Sequence, residues 1–591
     1  MAQQAWQYGS SGEDDGHGNG GRNHGTGRDT PGRNTFGRDT GAPFPAETAR
    51  EIQPETGRED GVTSGAASDV TSGAASGPAS GVGRRSFVVG AGLVGTGGLL
   101  GAAGAAPAAA AGRAGRDDRD GRDDRDGRPG HEDRSGRDTF GPDDFRAGRL
   151  LLVPDVVLLP EGPVKDRGVL VEGGTFRAVG PVRELTHAHR NARKVRLTGH
   201  LLMPGFVDAH HHLTQSFGKA QAFGQPSEIF KTVWEPLEHA LDEETVHLSA
   251  KLAALEALRG GFTTAADAGT RAPVDVGVIA KATEEAGLRC VLSKVVSNGK
   301  GGKEHLERFQ NSRLVHPSLA IPVPEDASAE ILKRTADQCA DAGAVFQIHV
   351  NEHLASVERS LKSVGRRPVS YLHHIGALNA HTLGAHATLL TPDEMRMLAD
   401  TGAAVSYNPV ASAWKGNGVA HALMWQAMGI RFGTGTDGTR GAGFRLVDAA
   451  ESAQRLAYGL HSGDSACGAG RTWLTHATAL SADAVGLGKV TGEIAVGKAA
   501  DFLLVDLRVP ELTPSYDLSW ELVRLADRDQ ISAVFVDGKL RLWQGWPTTW
   551  DGPALVRKAA EVGPEVVRRA RIQRVDPDPD GAARHARRTR G

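Results

Sequence analysis

Cysteine is nearly absent: the 591 residues hold three, Cys290, Cys339 and Cys467, far apart in the chain. That excludes a disulfide framework and a CxxC zinc site. A surplus of one charge is also missing. The formal net charge is -3, so the chain has no broad basic footprint and no nucleic-acid partner is expected. Strongly apolar runs are missing too, because the longest uncharged stretch is rich in glycine and too weakly apolar for a stable membrane span. What is present is length enough for two or more structural units. Histidine is the informative residue, with 23 copies, many set in short apolar segments. The 39% hydrophobic content understates the core, because polar residues crowd the first ~150 positions, unlike an ordinary globular chain.

Residues 1–83 are dominated by Gly, Ser, Thr, Asp and Arg. They carry too little apolar surface to offset the entropy of ordering them, so they read as disordered low-complexity chain. Residues 84–111 follow, with Arg84-Arg85 preceding an uncharged Gly/Ala/Leu/Val segment that ends in small residues near Ala106 to Ala111. This resembles a twin-arginine export signal. It implies the twin-arginine export machinery as a partner and an extracellular or cell-envelope location. The competing reading is a Gly/Ala linker behind two arginines in a cytoplasmic protein. Residues 112–147 are a charged GRDDRDGR-type linker.

Order is expected from 148 onward. Residues 148–205 and 492–545 contain short β-branched runs separated by glycines, which read as strands of one composite β-sandwich. Between them, in 206–491, eight apolar strand-like runs alternate with amphipathic segments: GFVDAHHH, FTTAADAG, LRCVLSKVV, SLAIPV, AVFQIHV, TLGAHATLL, AAVSYNPV and IRFGTGTDG. Eight such units predict a closed (β/α)8 barrel of TIM type, an α/β fold. Residues 546–591 read as a C-terminal helix and a basic tail.

Active sites of such barrels lie at the C-terminal ends of the strands, and the unusual polar residues fall there. His210 and His212 are two apart on an extended segment, so they share a face, while His211 points the other way. Two inward imidazoles after an apolar run most simply serve a metal. His349 stands in QIHV at a strand end, with Glu352 on the loop behind it, His386 stands in TLGAH, and Asp437 stands near the end of GTGTDG. Alone, a strand histidine reads as a satisfied core residue and an Asp before Gly as a turn. Four strand ends each supplying a metal-ligand type form a stronger signal.

The pattern PGFVDAHHH … HVNE … GAH … GTDG resembles the amidohydrolase superfamily, in its aminohydrolase branch of guanine, 8-oxoguanine, adenosine-type and triazine deaminases or chlorohydrolases. The resemblance runs from about Arg149 to Gly545. It implies that His210, His212, His349 and Asp437 ligate one divalent ion, zinc or iron, with Glu352 as proton shuttle, His386 as a catalytic partner and Asp437 accepting a proton from water. A bound divalent ion lowers the pKa of water from 15.7 toward about 7. Binuclear members need a carboxylated lysine from the fourth strand. That strand, LVHPSLAIPV, has none, and Lys294 on the third reads as a surface or substrate-facing residue, so a single ion is expected. The cysteine-based zinc deaminase class, with HxE and PCxxC, is excluded.

For the substrate, a small heterocycle, the resemblance places Gln215 and Asn408 in contact with it. The Gln215 amide can read a ring's carbonyl and N–H edge together. Lys219 stands where some 8-oxoguanine-type relatives carry Arg, and Tyr407 where the family's Asn-Pro is preceded by His. Trp234 and Trp414 are candidates for stacking or for packing. His353, His373, His374 and His421 read as structure or surface. The expected reaction is deamination of a purine, pyrimidine or triazine-like ring. The alternatives are opening of a cyclic amide or amidine, and an exported non-catalytic metal- or ligand-binding protein. A homodimer is implied only by the resemblance.

Overall fold

The computed structural model describes residues 140–225, 228–438, 440–463 and 468–574. The low-complexity stretch, the twin-arginine-like segment, most of the charged linker, Cys467 and the basic tail lie outside the described residues.

Two β-sheets organise the described chain. The first begins with β1 (Arg149–Leu159), β2 (Gly162–Lys165), β3 (Arg167–Glu172), β4 (Thr175–Pro181) and β5 (Arg193–Pro204). It is completed from the far end of the chain by β14 (Phe502–Asp506), β15 (Ile531–Val536), β16 (Lys539–Trp543) and β17 (Trp546–Pro547). The two distant pieces meet where β14 runs antiparallel to β5, with Leu504 opposite Leu202. The strands thus form one hydrogen-bonded sheet, in the order β17-β16-β15-β14-β5-β1-β3-β4. This sheet folds back on itself: Thr175, at the start of β4, bridges Ala499 just before β14. Its core is apolar and aromatic, with the rings of Phe502 and Phe535 stacked at 4.3 Å.

The second sheet is the barrel: β6 (Phe206–His211), β7 (Phe262–Asp267), β8 (Arg289–Val295), β9 (Val315–Ala320), β10 (Phe346–Val350), β11 (Thr382–His386), β12 (Ala404–Tyr407) and β13 (Arg431–Thr434). Each of the eight predicted runs supplies one strand, and neighbours in sequence are parallel neighbours in the sheet. β6 and β7 are buried at every position, as strands covered on both faces must be. The ring is closed by a parallel bridge between His211 and Asp437, where the Asp437 N–H donates to the His210 carbonyl at 2.8 Å. Closure itself therefore brings the first strand's histidines beside the last strand's aspartate.

The outer helices carry clear start signals. Asp242 caps α1 (Glu243–Arg259), accepting from the Thr245 N–H at 3.0 Å, and the helix buries Val246, Ala250, Ala254 and Ala257 against the barrel. α2 (Leu354–Val364) begins at His353, directly after Glu352. α3 (Pro409–Lys415) begins at the Asn408-Pro409 step and ends at Gly416, whose φ of +72° reverses the chain. No helix among the described residues is long and apolar enough to cross a membrane.

Candidate metal centre

Four imidazoles from three strand ends converge at the C-terminal mouth of the barrel. The His210 ring lies 5.0 Å from His212, 4.8 Å from His349 and 5.2 Å from His386, centroid to centroid. Asp437 faces them, with Oδ1 3.6 Å from His212 Nε2. Ligand-type atoms of His210, His212 and Asp437 lie within 4.8 Å of one another, as do those of His210, His349 and His386.

The surroundings of each ring fix its role. His349 Nδ1 bonds the Pro322 carbonyl at 2.8 Å, which makes Nδ1 the N–H and leaves Nε2 with a free lone pair. His210 Nε2 and His212 Nδ1 are buried without a hydrogen-bond partner. Such groups are costly to leave unpaired; a cation at the cluster would satisfy His210 Nε2, while His212 turns its other nitrogen, Nε2, toward Asp437. Burial, and then the neighbouring imidazoles, holds His210 well below the usual histidine pKa; burial outweighs the pull of Asp437 and does the same for His212. Asp437 is itself held well below the usual carboxylate range, because Lys415 and the imidazoles outweigh its burial. Neutral imidazoles beside an ionised carboxylate are the donor set a divalent ion requires. The residues fit such an ion.

His211, by contrast, turns away and bonds Thr436 Oγ1 at 2.8 Å, as parity predicts. His386 has a different environment from the other three. Ser406 Oγ donates to Asn408 Oδ1 at 2.7 Å, and Asn408 Nδ2 then donates to His386 Nδ1 at 3.1 Å. Nδ1 is thereby the acceptor and Nε2 carries the hydrogen, aimed at Glu352 Oε1 (3.8 Å) and Asp437 Oδ2 (3.9 Å). A Cβ at Gly435 would stand 2.4 Å from Asn408 Oδ1, so only glycine leaves room for this amide. Burial pushes the His386 pKa down to about 4, which keeps the ring neutral. His386 and Asp437 also hold left-handed backbone, with φ of +71° and +59°, a strain that clusters at functional sites.

These groups border a cavity of about 300 Å³, the size of a small-ligand site. His212, Gln215, His349, Glu352, His386 and Asp437 all line it. Gln215 Nε2 donates to Glu238 at 3.2 Å, and its Oε1 is buried without a partner. Asn408 is not on the wall: it was expected to touch substrate, but its amide is spent behind the wall on His386. Trp234 lines the cavity, whereas Trp414 packs edge-on against Phe223. Lys219 bonds Glu256 away from the cavity. Tyr407 is buried, and its hydroxyl accepts from Gln454. His353 caps α2 and borders the cavity, while His373, His374 and His421 are exposed. Lys294, on β8, does not reach the cluster.

Sequence reasoning missed Lys415. The last residue of α3, it is buried against the site, with Nζ 2.9 Å from Glu352 Oε1 and 2.6 Å from Asp437 Oδ2. Asn417 adds a bond to the same Glu352 oxygen at 3.2 Å. Despite its burial, Glu352 is held well below its usual pKa by His386 and Lys415, so it is ionised.

Known proteins resemble this chain in sequence and in fold. The family described as the amidohydrolase family matches residues 201–541. A 5-methylthioadenosine/S-adenosylhomocysteine deaminase of Nitratidesulfovibrio vulgaris is 31% identical over 419 residues, 68% of this chain and 92% of that protein. An adenosine deaminase of Xanthomonas campestris, solved with bound zinc, superposes with a TM-score of 0.65 at 25% identity, covering 71% of this chain and 98% of that one. An atrazine chlorohydrolase of Arthrobacter aurescens complexed with zinc shares the fold at a TM-score of 0.62 and 20% identity, over 71% and 100% of the two chains. The chain belongs to the amidohydrolase family and is a hydrolase of C–N bonds other than peptide bonds.

Proposed function

We propose that this enzyme removes the exocyclic amino group from an adenine-type ring carried on a nucleoside or 5'-substituted nucleoside. The observation that carries the reading is the meeting of His212, His349, Glu352, His386 and Asp437 on the lining of a cavity of about 300 Å³, with His210 grouped against them. The adenosine-type substrates in the names of its relatives support the choice of ring. Lys219, which stands where some 8-oxoguanine-type relatives carry Arg, does not border the cavity.

A divalent ion, zinc in the solved relatives, would be held by His210, His212, His349 and Asp437 and would supply the Lewis acidity that makes water a nucleophile at neutral pH. The chain's own groups do the rest. Asp437 and the Nε2–H of His386 orient the attacking water. Ionised Glu352 takes up its proton and delivers it to the ring nitrogen beside the attacked carbon. Asp437 accepts the second proton of that water and passes it to the exocyclic nitrogen, which leaves as ammonia, and a carbonyl oxygen from water takes its place. The free Oε1 of Gln215 accepts a ring N–H. The paired Arg84-Arg85 and the uncharged segment after them support export as part of the same proposal.

The test is ammonia release by the purified protein from adenosine, 5'-deoxyadenosine, 5'-methylthioadenosine and S-adenosylhomocysteine, with guanine and aminotriazines alongside. Release from at least one adenine nucleoside is expected. Ammonia only from guanine or triazines would move the substrate class. A carboxylate formed from a cyclic amide, with no ammonia from any amine, would replace deamination by ring opening. Fractionation of cells expressing the full chain and an Arg84→Lys, Arg85→Lys variant tests export, which requires that only the former leave the cytoplasm.

A further inference from the structure

We infer that the Lys415 ammonium fills a second cation position in this centre, between Glu352 and Asp437, and thereby limits the enzyme to one metal ion. The inference rests on the metal-centre reading above and adds to it a built-in stoichiometry.

The donor atoms divide into three overlapping groups, each within 4.8 Å: His210/His349/His386, His210/His212/Asp437 and Glu352/His386/Asp437. The first two share His210 and are rich in imidazole, which suits zinc. The third contains two carboxylates, and Lys415 already occupies it. Its Nζ contacts Glu352 Oε1 and Asp437 Oδ2, the same two oxygens that face His386 Nε2. Asp437 is divided between the two positions. Its Oδ1 faces His212 and accepts from the Gly438 N–H at 2.5 Å, while its Oδ2 turns to the lysine.

Local structure delivers the lysine. The chain reversal at Gly416 ends α3 on Lys415 and brings Asn417 back to the same Glu352 oxygen. A charge in such a site is tolerated only when paired, and two carboxylates pair it. A divalent ion could reach those oxygens only by displacing the ammonium, since two cations cannot share them at this range without strong repulsion. The fourth strand, Val315–Ala320, carries no lysine. The lysine of this centre comes instead from the segment after the seventh strand, and it contributes its own positive charge.

The test is metal content, read by elemental mass spectrometry on the full chain dialysed against saturating zinc. Wild type and Lys415→Arg are expected to hold a single zinc. Lys415→Met, and Lys415→Gln, which can still hydrogen bond but carries no charge, are expected to take a second ion. A folded Lys415→Met or Lys415→Gln that stays at one ion overturns the inference. So does a wild type that takes two, a result that needs no variant to fold and leaves the metal centre standing. A wild type that binds none overturns the metal-centre reading itself, and this inference with it.

Discussion

Arg289, at the start of β8, and His386, at the end of β11, are each 1% exposed, yet they are surrounded in opposite ways. Arg289 meets Asp501 in a two-pronged pair, Nε to Oδ2 at 2.8 Å and a second guanidinium nitrogen to Oδ1 at 3.1 Å. Asp501 also accepts from Thr491 and from the Asp537 N–H. This end of the barrel, where the mixed sheet packs, satisfies its buried charges within the protein. At the other end His386 Nε2 and His210 Nε2 have no partner. The closed end spends its polar groups on stability; the open end keeps them for something that must arrive. The same division between the two faces is general for this fold.

Substitutions at the open end should abolish chemistry while leaving the fold, and the largest effect is expected there. His210→Ala removes an imidazole from the cluster and should weaken zinc binding by at least about 100-fold, more than loss of a group that only supports a ligand. Isothermal competition with a zinc chelator measures it, and unchanged affinity would break the ligand assignment. Glu352→Gln should lower turnover by about 10²–10⁴ through loss of the proton carrier, with metal content and melting behaviour retained. Full activity in that variant removes Glu352 from the reaction.

The closed end should respond in reverse. Arg289→Ala leaves the Asp501 carboxylate buried and unpaired, which costs about 3–5 kcal/mol. Urea unfolding reads that loss, while turnover per folded molecule should hold. A smaller effect is expected at His476, whose Nδ1 bonds the Phe432 carbonyl while its ring stacks on Phe432 at 3.7 Å. Burial pushes its pKa down to about 4. Below pH 6.5 the unfolded chain therefore binds a proton that the folded chain refuses, and stability falls as pH drops from 6.5 toward 4. Between pH 7 and 5 the loss is about 2 kcal/mol. His476→Gln should remove that share of the acid sensitivity, and an unchanged difference in urea midpoints between the two pH values would contradict it.

Much of this was legible in the chain. The eight barrel strands are apolar runs bounded by glycines and helical segments, a local pattern that tertiary contacts had no reason to override. His210, His349 and His386 stood out because an imidazole in an apolar strand is chemically out of place. Other features were hidden by their local ordinariness. Lys415 reads as a solvated lysine at the end of a short helix, and only the reversal at Gly416 carries it inward. Asn408 was visible as part of a motif, but its direction was not: whether an amide faces the cavity or a neighbouring imidazole depends on Ser406 and on the space left by Gly435. The two β-rich segments were matched across the barrel by composition, while their joining through β5 and β14 into a single sheet depends on register.

Sequence by itself determined which residues could do chemistry here, because periodicity and residue type are local properties and place His210 and His212 on one face with His211 on the other. Only the tertiary structure decided which of those groups meet. Barrel closure joins His210 to Asp437 across 227 positions, a separation read directly from their numbers. Folding likewise sets Lys415 between two carboxylates and Arg289 against Asp501. Electrostatic pairing acts through space over a few ångströms, and the chain specifies that distance only after it has folded.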